Sequence, residues 1–198
     1  MRTKYQTELT AFHEAGHAVA HAVLDLPFEH VTIVPADDSD GHVAYDRPHA
    51  IVEAWNNGDR DSAEVRHHSE RELITLLAGL EAQRRRFPRS HKRMTYSNRS
   101  VYGDDFDGDG NPVPRSTRIA ASGADYTTAG RIVDDLFGNR AIALDYLVYI
   151  NTRTRVLIWD HWEAIERVAH ALIERRTLTY DDVLRVVYPL PFPVDLSV

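Results

Sequence analysis

The sequence predicts a mainly α fold with a small β-sheet or hairpin, and three observations carry that expectation. Apolar residues recur at helical spacing through most of the 198 residues. Two short β-branched runs lie close together, separated by a turn-rich connection. There are no internal repeats, and a chain of this length fills one core, so residues 1–198 are expected to form a single domain.

A first helix is expected from about Thr7 to Leu24, ending at Asp25-Leu26-Pro27, where proline cannot continue it. His30-Val31-Thr32-Ile33-Val34-Pro35 and Gly41-His42-Val43-Ala44-Tyr45 read as two strands, joined through Ala36-Asp37-Asp38-Ser39-Asp40. Leu73, Leu76, Leu77 and Leu80 place a long helix at about Ala63–Phe87, stopped by Pro88. From Ser90 to about Arg118 periodicity disappears and Gly, Pro, Asp and Asn accumulate. Loops of this length are uncommon in compact domains, and the 88–118 stretch reads as a mobile insertion. Helix resumes at about Ser122–Phe137 with Gly138 as its C-cap. The stretch from Asn139 to Arg176 is mostly helical, with Ile165, Val168, Ala169, Leu172 and Ile173 on one face. Thr179-Tyr180-Asp181-Asp182 has capping-box spacing and opens a last short helix.

Composition narrows the function. Hydrophobic residues at 43% and charged residues at 27% describe an ordinary globular protein. With no cysteine, there is neither a disulfide framework nor a thiolate metal site, so any bound metal must use nitrogen and oxygen. A net charge of −7 argues against nucleic acid as the main partner. No stretch approaches the roughly 18 apolar residues of a membrane span, and the N-terminus lacks a signal peptide's apolar core. The expectation is a soluble, cytoplasmic protein.

The chemistry concentrates at His13-Glu14-Ala15-Gly16-His17. On a helix, residues i and i+4 share a face with Cβ atoms about 5–6 Å apart, close enough for two imidazoles to close on one zinc ion. Glu14 projects about 100° round the helix from His13, beside such an ion rather than on it. This is the HExxH arrangement of zinc metallopeptidases, in which the glutamate is the general base. Ala11, Ala15, Ala18, Val19, Ala22 and Val23 make the helix strongly apolar and hence buried, where two histidines and a glutamate are costly without strong partners. His21 continues the row, but lies about 12 Å along the axis from His13, too far to share the ion. Catalytic zinc takes three protein ligands and a water, so one ligand must come from elsewhere. Asp125, Glu70, Glu72, Glu81, Asp134 and Asp135 are the candidates, and Ser122-x-x-Asp125 reads equally well as a capping box.

Other signals are weaker. Asp105-Phe106-Asp107-Gly108-Asp109-Gly110 opens like a calcium loop, but Ser116 stands where a bidentate glutamate belongs. Arg84-Arg85-Arg86 with Arg89, Lys92 and Arg93 forms a basic cluster that reads as a solvated or internally paired surface. Tyr96, Tyr102 and Tyr126 are within the range of residues that stabilise an oxyanion, and spacing does not separate that role from packing.

Several segments together resemble the zinc peptidase domain of the FtsH-type, membrane-anchored AAA proteases. They are Ala11-Phe12-His13-Glu14-Ala15-Gly16-His17-Ala18-Val19, Val31-Thr32-Ile33-Val34-Pro35, Leu77-Ala78-Gly79-Leu80-Glu81-Ala82, Ala121-Ser122-Gly123-Ala124-Asp125 and Ala171-Leu172-Ile173-Glu174-Arg175-Arg176-Thr177-Leu178-Thr179. The resemblance implies a helical zinc-peptidase domain with His13, His17 and Asp125 as zinc ligands and Glu14 as the catalytic base. That family carries an ATPase module and a membrane anchor ahead of this domain, and these 198 residues contain neither. Where the family often has paired glutamates, this chain has Gln83-Arg84. The resulting expectation is a zinc metalloendopeptidase hydrolysing flexible or unfolded polypeptides without ATP. The alternative is a non-catalytic, zinc-stabilised binding module. A separate ATPase, a regulator or further copies of the chain are the remaining partners, with no nucleic acid and no membrane. Limited trypsin digestion should cut first within Arg89–Arg118; primary cleavage elsewhere, with this stretch resistant, contradicts a mobile insertion.

Overall fold

The computed structural model describes residues 3–35, 40–88 and 124–189. The expected insertion, the calcium-like loop, the cap at Ser122, Tyr96, Tyr102, Arg89, Lys92 and Arg93 lie outside these residues, apart from Pro88. The fold is mainly helical with a small three-stranded antiparallel sheet, as expected.

The first helix, α1 (Lys4–Val23), starts earlier than its apolar run because Thr3 and Gln6 form a reciprocal capping box. Strands β1 (His30–Thr32) and β2 (His42–Ala44) pair antiparallel, with Val31 opposite Val43. A short unexpected helix, α2 (His49–Asn56), follows, and then α3 (Ala63–Arg86), capped by Ser62. Beyond the undescribed stretch come α4 (Ala124–Phe137) and α5 (Arg140–Asp160). Gly138 takes φ 59 between them, and the Asn139 side chain caps α5. α6 (Trp162–Arg175), β3 (Thr177–Thr179) and α7 (Tyr180–Val187) complete the order. The long helical stretch after Asn139 is therefore two helices broken at His161. β3 was not expected either: it pairs antiparallel with β1, giving the order β2-β1-β3. Arg176, at φ 70, turns the chain from α6 into β3, and its carbonyl accepts from the Ile33 amide at 2.9 Å.

Two apolar clusters organise the packing, and α3 serves both. Ala78 and Ala82 join Ala11, Ala15 and Val19 of α1, Val31 and Leu178 of the sheet, and the Ile165, Val168, Leu172 stripe of α6. Leu73, Leu77 and Leu80 instead meet Tyr126, Ala129 and Val133 of α4, and Leu147 and Ile150 of α5. Small residues let α1 approach α3 closely. A Cβ at Gly16 would fall 2.6 Å from the Ala78 carbonyl oxygen and 2.8 Å from the Ala82 Cβ. A methyl there gains about 1 kcal/mol of helix propensity but drives into backbone that cannot swing aside, and overpacking costs about 1–3 kcal/mol. Gly16→Ala should therefore destabilise the protein, seen as a lower urea midpoint; a higher midpoint would mean that the two helices part without cost.

Candidate metal centre

α1 carries His13, Glu14 and His17 on the side where it meets α3, the hairpin and the start of α4. Glu14 is 4% and His17 9% exposed. The His17 Nδ1–H donates to the Thr75 carbonyl of α3 at 2.6 Å, which leaves Nε2 as the free ring nitrogen for a ligand. That Nε2 lies 3.0 Å from the His13 Nε2.

Asp125 enters from the first turn of α4. Tyr126, Ala129 and Val133 hold this helix against Leu73 and Leu77 of α3, so its first turn is held beside α1. The Asp125 Oδ2 is 3.3 Å from His13 Nε2 and 3.5 Å from His17 Nε2. Donors of a tetrahedral site with bonds of about 2.0–2.1 Å lie roughly 3.3 Å apart, so the three separations match what a four-coordinate ion requires. Among the described residues this is the one group of three acids or histidines arranged to hold a metal.

The other candidate acids are engaged elsewhere. Glu72 takes a two-pronged contact from Arg47 at 2.8 and 3.0 Å. Glu70 pairs with Arg153 and accepts from the Tyr146 hydroxyl, while Glu81 pairs with Arg84 and accepts from Asn151. Asp134 and Asp135 sit in the later turns of α4, roughly 14 Å along the axis from Asp125 at about 1.5 Å per residue. His21 is buried and its Nδ1 donates to the Leu26 carbonyl, so it braces the end of α1.

The charges at the site are strongly coupled. Burial acts to raise the Asp125 carboxyl, but hydrogen bonds and charge from both histidines outweigh it and hold the group well below the usual carboxylate range. Burial acts to depress His17, but the Asp125 contact and the Glu14 charge lift it to about 9. Glu14 is raised, chiefly by burial, against the pull of His17 and His13. A buried carboxyl with a raised pKa, beside the His13–His17–Asp125 group but outside it, can take up and release a proton.

Two features at the site carried no recognised signal in the sequence. Gly41, which leads into β2, leaves room for Glu14: a Cβ there would fall 2.9 Å from its Cγ and 3.0 Å from its Oε1. Gly79 leaves room for His17, since a Cβ there would fall 2.4 Å from Nε2. Mid-helix glycine in a buried helix is the clue that could have marked Gly79, because it costs about 1 kcal/mol against alanine and needs a reason.

Compared with protein-family models and with curated proteins, the chain matches none.

Gly79→Ala should separate the site from the fold. The added methyl favours helix yet occupies the position of the His17 nitrogen, so metal affinity should fall about 10–100-fold while helical circular dichroism is retained. Unchanged metal content after dialysis would remove His17 from the ligand set.

Proposed function

We propose that the protein is a zinc-dependent metalloendopeptidase acting on flexible or unfolded polypeptides in the cytoplasm. The observation that carries the proposal is the convergence of His13 Nε2, His17 Nε2 and Asp125 Oδ2, at 3.0–3.5 Å from one another, with Glu14 beside them and not among them. Two imidazoles and one carboxylate, with no thiolate, form a donor set that suits catalytic zinc.

When bound, zinc supplies Lewis acidity, lowering the pKa of a water towards about 7 and polarising a carbonyl oxygen. Asp125 adds negative charge to the ligand set, and the Thr75 carbonyl keeps the His17 ring in the tautomer that ligates through Nε2. Glu14 accepts the proton of the attacking water. Its burial, which raises its affinity for that proton, suits it to hold the proton and hand it to the departing amine. β2 is an edge strand, and Gly41 at its approach lies against Glu14. An extended chain added to that edge would run past the base, bound through main-chain hydrogen bonds that read little sequence. Folded proteins do not offer such a strand, which favours unstructured substrates. No helix among the described residues is long and apolar enough to cross a membrane.

Hydrolysis of casein by the purified, zinc-loaded chain tests the reading. Glu14→Gln should keep zinc and lose about 10²–10⁴-fold in rate, as removal of a general base does. Asp125→Asn should lose zinc and activity together. A zinc-loaded wild type that leaves casein intact would point instead to a non-catalytic, zinc-stabilised binding module. A Glu14→Gln enzyme as fast as wild type would mean that Glu14 is not the base.

A further inference from the structure

Helix α5 is apolar on both sides. Its inner face buries Ala143, Leu147, Ile150 and Ile158. Its outer face leaves Ile142, Val148, Tyr149, Val156 and Trp159 between 48% and 70% exposed. At about 100° per residue those five fall within an arc of roughly 120°, so they form one stripe along the helix. Elsewhere among the described residues, large exposed apolar side chains are few: Tyr5, Val34, Val52 and Tyr188. A helix with apolar residues all round is normally covered, and an apolar stripe of this extent marks a contact surface.

An open groove of about 370 Å³ borders the C-terminal half of the stripe. Val23, Leu24, Ile74 and Leu157 form its apolar part with Val156, and Asp160 is one of its polar lining residues. Of the charges on this face, Asp145 lies within the apolar arc and Arg155 at its edge; both are exposed, and neither has an ion-pair partner among the described residues. They stand symmetrically about residue 150, which is also the middle of α5.

We infer that this face binds a second copy of the same chain, with the two α5 helices antiparallel across a two-fold axis near residue 150. In that register each Asp145 meets the partner's Arg155, so the pair forms twice. A parallel arrangement would set Asp145 on Asp145 and Arg155 on Arg155. The partner's Ile142 falls beside Val156 and Asp160, over the groove, where an aliphatic anchor fits. A lipid surface suits the stripe less well, because Asp145 lies in the middle of the apolar arc and an acid there resists insertion. At the observed exposures the five side chains offer on the order of 500 Å² per copy, and the pair thus buries about 1,000 Å², the threshold for a specific interface. Self-complementary contacts of this kind are the commonest way for a soluble chain to assemble.

Sedimentation velocity of the full chain from about 1 to 100 µM tests this. The expected result is a species of twice the 22.5 kDa chain mass. Val156→Glu should leave a monomer with unchanged circular dichroism. Asp145→Arg or Arg155→Asp alone should weaken the dimer about tenfold by setting like charges together, and the double exchange should restore it. A monomer at the highest concentration overturns the inference. So does a dimer that Val156→Glu leaves intact, or a double exchange no better than either single one. The outcome is independent of whether the metal site is catalytic.

Discussion

A cluster of side chains converging from several helices depends on how closely their backbones can approach, and here the crossing of α1 with α3 sets that distance. Gly16 lets the Ala78 carbonyl and the Ala82 methyl reach the α1 backbone, and Gly79 leaves the space that the His17 ring fills. Once the helices are that close, the Thr75 carbonyl is within 2.6 Å of the His17 ring and fixes how it points. The opposite face of α3 carries Leu73 and Leu77, which hold α4 and with it Asp125. One helix pair therefore orients two histidines of the candidate site on itself and locates its aspartate on a neighbour.

The same geometry holds the site together through charge. His17, lifted to about 9, stabilises the fold fully below its ordinary value of 6.5 and loses that contribution as pH rises towards 9. Asp125, held below the usual range, contributes above its ordinary 3.8 and loses its contribution as pH falls. The metal-free pair is thus most favourable between about pH 4 and 6.5. A metal ion bound through His17 at neutral pH would have to displace its proton, so acid would oppose such binding and mild alkali would favour it.

Much of this was legible in the sequence, for reasons specific to each part. His13, Glu14 and His17 were readable because a helix converts spacing directly into geometry. The expected bounds of α3 and of the last helix were close because a leucine row and a capping box are local signals. α2 was missed: it is eight residues long and buries only Ile51, too little for a periodic pattern. β3 was missed because three residues have no periodicity of their own, and what makes them a strand is β1, far away in the chain. Asp125 could not be separated from five other acids by spacing, since its position depends on how α4 packs. The Thr75 contact was invisible for a simpler reason: it is made by a main-chain carbonyl, which every residue has.

β1 is the middle strand of the sheet, and its outer partner follows it by nearly three-quarters of the chain. Thr32 meets Thr177 at 2.8 Å across a separation of 145 residues. Closing so long a loop is slow compared with forming helices, and the contact cannot exist before residue 177 has been made. The sheet beside Glu14 is therefore among the last parts to assemble. During synthesis the histidine pair is present early, but the strand edge next to it lacks its support until residues 177–179 have emerged. A nascent chain would hold the histidine pair before the sheet beside it is complete.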